Sequence, residues 1–439
     1  MSHNLTRRSL LSIGLGGAAA AALTACGNGG GSSGSGPAPG AEPTFGASIR
    51  MSQFGTTDRQ ARLAEAFALY SAEYGGSVDV SAIDNSSYAE KLATEMAGGA
   101  AADIVGLFHH IVADYARQGQ LVDLDAWDTI TDVSGLDQDA TAGGVIDGQR
   151  SALPLGDNAI GAFYDRTRLS DLGFEPLEPG HTWDEFITFA NDVSREAGGS
   201  YYGTMDASGD TNFFEVFLRQ RGKGLYADGG LGFAPADVEE WFGVWEDLRA
   251  TGAAPPAGLT SESSAGGFGT AMLVTGQAAT FFIFSNVFKA FSNLTSSELA
   301  LTTTPMPSAS ESGLYVRASN WIAAYTKGDG IDDAVNAIQF LLNDPGAVEV
   351  LGTEFGAPPN LELRAELSYD AADQAFVDYV DLVSAEYAQP IGNLAESFPQ
   401  GSARMTEALR TMSETIAAGD LSVADGSAQL VAQAEGFIG

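Results

Sequence analysis

The stretch SVDVSAIDNSSYAEKLATEMAGGAAADIVGLF, residues 77–108, decides the fold. Ser77–Ser81 alternates polar and apolar side chains, which predicts a β-strand. Ser87 and Glu90 have the spacing of a capping box, and apolar residues recur after it at helical intervals. The apolar run Asp103–Phe108 then predicts a second strand, so the stretch has the pattern of one βαβ unit.

The same alternation of strand and helix patterns continues on both sides of this unit. Upstream, Ala47–Ser52 has the composition of a strand and precedes a helical pattern. Downstream, Ala159–Tyr164 predicts a further strand, and Thr182 and Glu185 form another capping box. About 400 residues follow the amino-terminal segment, more than one hydrophobic core usually organises. We therefore predict an α/β protein of two lobes, each a mainly parallel sheet flanked by helices.

The amino-terminal residues have the pattern of an export signal. Arg7 and Arg8 precede an apolar run that ends at Cys26, the single cysteine of the chain. Paired arginines are typical of the twin-arginine route, and a cysteine at this place is typical of lipoprotein acylation. We predict a signal peptide over 1–25, then a lipidated Cys26 and a flexible Gly/Ser/Pro tether over 26–45. An ordinary signal peptide with a chance cysteine is the alternative.

The charge of the chain excludes one class of partner. Its formal net charge is −36, from 57 acidic and 21 basic residues. Such a surface repels phosphate backbones, so the chain is not expected to bind nucleic acid. It also disfavours docking on anionic lipid by charge, which leaves the lipid anchor at Cys26 as the predicted contact with the membrane.

Several short motifs occur in a fixed order along the mature chain, among them Tyr88-x-x-Lys91-Leu92 and Thr182-Trp183-Asp184-Glu185. Their order resembles that of the extracellular solute-binding proteins of ABC importers, in the carbohydrate-binding group of maltose-binding-protein-like lipoproteins. Ala102 stands where that family usually has proline, and Asp165 stands where it has asparagine. The segments that carry the resemblance are 88–105, 119–124, 153–165, 172–186, 276–280 and 337–360.

The resemblance implies a type II periplasmic-binding-protein-like fold with a ligand cleft between the lobes. We expect the amino-terminal lobe to comprise 46–156 and 297–343, and the carboxy-terminal lobe to comprise 157–296 and 344–439. The implied function is capture of a mono- or oligosaccharide by hinge closure and its delivery to the transmembrane subunits of an ABC permease. The protein would be a monomer, exported and lipid-anchored to the outer face of the cytoplasmic membrane.

Residues that could bind a sugar are aromatic or carry planar polar groups, on loops at the carboxyl ends of strands. Trp321 could stack on a sugar ring or belong to the core, and Asp157 could bind hydroxyls or cap a turn. The scarcity of lysine and arginine in these loops argues against strongly anionic ligands. The predicted ligand-binding residues are Tyr88, Phe108, His109, Asp157, Asn158, Asp210, Asn212, Phe284, Ser285, Asn286, Asn320 and Trp321.

The sequence contains no recognisable catalytic, cofactor or metal motif. It has no Gly-x-Ser-x-Gly elbow, His-Glu-x-x-His pair or phosphate loop. His109 and His110 are adjacent, so their side chains diverge, and we expect no metal and no cofactor. The chain is therefore predicted not to be an enzyme. An exported glycosidase that uses two carboxylates, and a sugar-sensing lipoprotein that serves no transporter, are the alternatives.

Overall fold

The computed structural model describes residues 42–199, 201–265, 267–389 and 401–438. The predicted signal peptide, the lipidation of Cys26 and most of the tether concern residues 1–41 and lie outside this part. Within the described ranges, no helix has both the length and the apolar character needed to cross a bilayer.

Strands and helices alternate through most of the described chain, as the sequence pattern predicts. In chain order the strands are β1 (Ser48–Phe54), β2 (Ser77–Ile83), β3 (Ile104–Leu107), β4 (Val145–Ile146), β5 (Gln149–Arg150), β6 (Leu153–Asn158), β7 (Ile160–Asp165), β8 (Tyr226–Ala227), β9 (Gly230–Leu231), β10 (Thr280–Phe284), β11 (Leu299–Thr302) and β12 (Arg317–Ala324).

Helices make up about half of the structure and range from five to 18 residues. They are α1 (Thr57–Tyr74), α2 (Asn85–Gly98), α3 (His109–Arg117), α4 (Gln138–Ala142), α5 (Arg166–Asp171), α6 (Trp183–Glu196), α7 (Thr211–Arg219), α8 (Pro235–Thr251), α9 (Ala257–Ala265), α10 (Phe288–Leu294), α11 (Ile331–Asn343), α12 (Pro345–Leu351), α13 (Leu361–Glu366), α14 (Ala371–Leu382), α15 (Ser402–Ala417) and α16 (Val423–Glu435). Short 3₁₀ turns lie at Leu124–Trp127, Gly267–Thr270, Ser285–Val287 and Ala309–Glu311, and a π turn at Val383–Tyr387.

The first lobe contains a five-stranded sheet in the order β2-β1-β3-β12-β6. Strands β1, β2 and β3 are parallel, whereas β12 runs antiparallel to both of its neighbours. Apolar residues of α1 and α11 are buried in one core cluster, and the predicted stripe of α2 (Tyr88, Leu92 and Met96) is buried in another. The mainly parallel sheet and the amphipathic helices predicted for this lobe are confirmed.

The second lobe has a different sheet from the one predicted. Strand β7 lies between β10 and β11, and both neighbours run antiparallel to it. The lobe is held by an aromatic core in which Phe213 stacks on Phe282 with ring centroids 4.2 Å apart, beside Trp241 and Trp245. The expectation of a mainly parallel sheet therefore holds for the first lobe and not for this one.

The chain passes between the two cores at three places. The lobe boundaries that these crossings define differ from the predicted boundaries. β6 belongs to the first lobe and β7 to the second. The return crossing comes at Arg317, not near residue 297, because Leu314–Val316 are buried in the second core and β12 is in the first sheet. The third crossing follows Phe355, which belongs to the first core, whereas Ala357 belongs to the second.

The first turns of α6 and α2 can be compared with the two predicted capping boxes. The Thr182 side chain accepts from the Glu185 amide, and Glu185 accepts from the Thr182 amide, so this predicted capping box is confirmed. Ser87 instead lies inside α2, where its hydroxyl donates to the Asp84 carbonyl. α1 is capped by Thr56, whose side chain accepts from the Arg59 amide.

Candidate functional site

The two lobes enclose a cavity of about 990 Å³. Gly55 and Thr56 follow β1, and Asn85 begins α2 just beyond β2, so the carboxyl ends of parallel strands supply the wall on the first lobe. Asn286 and Val287 follow β10 and supply the facing wall on the second lobe. This is the position at which open α/β sheets bind ligands. We call this space the inter-lobe cavity.

Two aromatic rings in the lining of the inter-lobe cavity can receive an apolar face. Phe268 is 42% exposed, lies in a glycine-rich turn and packs against Phe291 with ring centroids 5.1 Å apart. Tyr369 is half-buried, and its hydroxyl donates to the Arg364 carbonyl at 3.0 Å. Because an exposed aromatic ring attracts the C–H face of a sugar, both side chains suit saccharide binding.

Charged side chains in the lining are largely paired with one another. Arg59 Nε lies 3.1 Å from Glu354 Oε1, and Lys289 Nζ lies 2.5 Å from Asp373 and 2.8 Å from Asp370. The paired groups still present unused donors and acceptors to the cavity. Such fixed polar groups hold pairs of hydroxyls in a defined orientation.

Arg317 brings together three of the predicted residues where the lobes meet. Its Cζ lies 3.7 Å from the ring centroid of Phe284, at the end of β10. Burial, together with the charge of Arg317, holds the pKa of His109 well below its usual range, so the ring is neutral at pH 7. Burial raises the pKa of Asp210, although Arg317 and the amide of Phe213, 2.8 Å away, oppose the rise.

The remaining predicted residues at this junction are placed by strand and helix ends. Asn286 lines the inter-lobe cavity. Asn158 ends β6 and is 3% exposed, and Asn212 lies in the first turn of α7. Phe108 stacks on Phe54 at 3.9 Å. The buried Ser285 Oγ accepts from the Ala159 amide at 3.1 Å, which ties β10 to the first crossing segment.

Three predicted residues belong to the interior of the first lobe. The Tyr88 hydroxyl, fully buried, contacts the carbonyl oxygens of Gly106 at 2.7 Å and Ser52 at 3.0 Å. Asn320 accepts from Gln53 Nε2 at 3.2 Å and is 2% exposed. Trp321 is likewise 2% exposed and lies in the core rather than against the cavity. Their polar or aromatic character therefore serves packing in this structure.

Asp157 lies at the crossing between lobes and does not line the cavity. Its main chain exchanges hydrogen bonds of 2.8 and 2.9 Å with Ala357, and its carboxylate accepts from Arg364 at 3.4 Å. Burial raises the pKa of Asp157 to about 8, against the opposing charge of Arg364. Arg364 also lies 3.1 Å from Asp381. Asp157, which was predicted to bind ligand hydroxyls, is therefore part of a polar network with Arg364 and Asp381.

The sequence analysis missed several residues that line the site. Tyr369 and Lys289 come from chain segments that no motif singled out, and Phe268 lies in a stretch that the sequence identifies only as a glycine-rich loop. An aromatic residue between flexible glycines was the one local signal for Phe268. Arg317, which contacts Phe284 at the junction of the lobes rather than lining the cavity, also gave no signal, because its place depends on where β12 begins.

The described residues contain no group of three His, Cys, Asp or Glu side chains arranged to hold a metal ion. His109 and His110 have ring centroids 5.6 Å apart at an interplanar angle of 84°, so their nitrogens do not converge on one point.

Comparisons with known proteins agree with this geometry. A family model for bacterial extracellular solute-binding protein matches residues 63–377. The structure resembles an extracellular solute-binding protein family 1 from Alicyclobacillus acidocaldarius, with a TM-score of 0.76 and 23% identity over 91% of this chain and 99% of that one. A periplasmic oligogalacturonide binding protein from Yersinia enterocolitica gives a TM-score of 0.73 at 16% identity, covering 89% and 99%. A cyclic alpha-maltosyl-1,6-maltose binding protein from Arthrobacter globiformis gives 0.69 at 20% identity, also covering 89% and 99%. At these identities the solved structures establish the fold.

Proposed function

The chain belongs to the bacterial extracellular solute-binding protein family, and from this premise we propose that it captures an oligosaccharide for an ABC importer. The ligand would enter the inter-lobe cavity, and the lobes would close about the three crossing segments. The closed form would then deliver the ligand to the transmembrane subunits of the permease. The Yersinia and Arthrobacter proteins of the same fold bind oligosaccharides, which supports this class of ligand.

The observation that carries the proposal is the composition and size of the inter-lobe cavity. Its volume of about 990 Å³ is at the upper end of the roughly 300–1,000 Å³ typical of small-molecule sites. Exposed Phe268 and half-buried Tyr369 accompany amide side chains such as Asn85 and Asn286. The aromatic rings can pack on the C–H faces of sugars, and the amide groups can bond to their hydroxyls. The size of the cavity favours an oligosaccharide over a single sugar.

A thermal-shift screen of the protein against mono- and oligosaccharides tests the function directly. A ligand at 100 times its Kd stabilises a fold by about 2.7 kcal/mol, which raises the unfolding midpoint measurably. We expect a selective shift with an oligosaccharide that is recovered chemically unchanged. Absence of any shift across the panel contradicts saccharide binding, and consumption of a sugar during incubation favours the glycosidase alternative.

Replacing Phe268 by alanine is expected to weaken saccharide binding nearly tenfold. Stacking a sugar on this ring covers on the order of 50 Å² of apolar surface at about 25 cal/mol per Å², or about 1.3 kcal/mol. Isothermal titration calorimetry measures the change. Phe45→Ala is the matched control, because Phe45 is 40% exposed and packs on Tyr74 in the first lobe, outside the cavity lining. Equal affinity of the Phe268 and Phe45 variants would remove Phe268 from the binding site.

The proposed function includes anchoring of the exported protein to the membrane. We propose that Arg7 and Arg8 direct export by the twin-arginine route and that the mature protein, a monomer, is held at the membrane by acylated Cys26. Cys26→Ser is expected to transfer the exported protein from the membrane fraction to the medium and to abolish labelling by a fatty-acid probe. Ser32→Ala is the control in the same tether and is expected to change neither. A Cys26→Ser protein that stays membrane-bound would disprove the anchor.

A further inference from the structure

Arg317 lies where the two lobes meet. It is the first residue of β12, between Val316 in the core of the second lobe and Ala318 in the core of the first. Its guanidinium lies 3.7 Å above the ring of Phe284, which belongs to the second lobe. The positive charge therefore lies at the junction, beside Asn158 at the carboxyl end of β6.

The Arg317 side chain differs from the two deeply buried arginines in having no anionic partner. Arg249 lies 2.6 Å from Asp206, and Arg364 lies 3.4 Å from Asp157. Within the described ranges, the Arg317 side chain has no carboxylate within 4.0 Å, and its buried Nε makes no hydrogen bond. A partly buried guanidinium with no carboxylate in contact costs free energy that a ligand anion would recover.

Neighbouring polar atoms are also left without partners in the described part of the structure. Asn158, whose Cα pairs with that of Arg317 across β6 and β12, has a buried Oδ1 without a hydrogen bond. Thr211 has a buried Oγ1 in the same condition, next to Asp210, which feels the charge of Arg317. Asp210 itself caps α7 through the Phe213 amide and is no ion-pair partner of Arg317. The Arg317 guanidinium and the Thr211 hydroxyl can therefore donate to a ligand, whereas Asn158 Oδ1 can accept from a ligand hydroxyl.

We propose that the saccharide bound by this protein carries a carboxylate, as in a uronic acid, and that Arg317 binds this carboxylate. The proposal rests on the proposed function and narrows its ligand to acidic saccharides. A guanidinium fork matches the two oxygens of a carboxylate, and the stacking on Phe284 holds the fork in one plane. A singly charged ligand suits the single positive charge of Arg317, because the chain has a net charge of −36 and would repel a phosphate dianion.

Isothermal titration calorimetry with matched sugars tests the proposal. Galacturonic and glucuronic acids, as monomers and short oligomers, are titrated beside galactose, glucose and their neutral oligomers, with glucose 6-phosphate as the dianion. We expect the carboxylated ligand to bind about 100-fold more tightly than its neutral counterpart, since hydrogen bonds between charged groups are among the strongest in proteins. Arg317→Gln is expected to remove this preference, and Arg317→Lys to keep part of it.

Arg221→Gln is the matched control, because the Arg221 guanidinium also stacks on a ring, 3.4 Å above Phe217, but is paired with Glu240 at 2.5 Å. It is expected to bind acidic sugars as the unchanged protein does. Tighter binding of the neutral sugars, or an Arg317→Gln protein that keeps the acid preference, overturns the carboxylate proposal while leaving saccharide capture intact. Tighter binding of glucose 6-phosphate would assign Arg317 to phosphate instead. Failure of every sugar to bind overturns the proposed function as well.

Discussion

Replacing Arg249 by methionine is expected to lower the free energy of unfolding by about 3–5 kcal/mol. Arg249 Nη1 lies 2.6 Å from Asp206 Oδ2, and the two side chains are only 8% and 1% exposed. Asp206 also accepts from the Ser208 hydroxyl at 2.6 Å. Without the guanidinium the carboxylate stays buried and uncompensated, at the start of the loop that leads to Asp210.

Urea unfolding of the Arg249→Met protein measures this loss as a lower midpoint. Arg410→Met is the control, because Arg410 is half exposed and its ion pairs with Glu407 and Glu414 are on the surface, so the midpoint should hardly move. Adding Asp206→Leu to Arg249→Met should recover most of the stability, because no buried charge then remains. A single variant as stable as the unchanged protein would show that Asp206 does not depend on Arg249.

Replacing Trp321 by alanine is expected to cost about 3–5 kcal/mol of stability, as for other buried large-to-small substitutions. The indole is 2% exposed and fills the space above Gly143 and Gly144. A Cβ on Gly144 would lie 2.8 Å from the indole Cζ3 and 2.1 Å from the Ala152 carbonyl oxygen. The two glycines and the tryptophan are thus matched in shape, and alanine at 321 leaves a cavity.

The same variant separates the two roles that the sequence allows for Trp321. A core role predicts a large drop in the urea midpoint and, under folding conditions, saccharide affinity within about twofold of the unchanged protein. Trp321→Phe should lose less stability, because the phenyl ring fills part of the space. If affinity instead fell steeply while the midpoint stayed constant, the indole would belong to the binding site.

Local patterns in the sequence determined most of the secondary structure. The alternation in residues 77–81 predicted β2, and the capping box of Thr182 predicted the start of α6, because each depends only on residues a few positions apart. The order of short motifs identified the two-lobed fold and the family, since such motifs lie within single elements and their loops.

Tertiary structure decided which side chains line the inter-lobe cavity. Trp321 is in the core because β12 inserts between β3 and β6, strands that lie more than 150 residues earlier in the chain. Asp157 pairs with Arg364, 207 residues away, and does not line the inter-lobe cavity. Arg317 and Phe284 meet only because two sheets built from distant segments end at one junction. Spacing in the sequence fixes local geometry, whereas burial and pairing depend on contacts that only the folded chain creates.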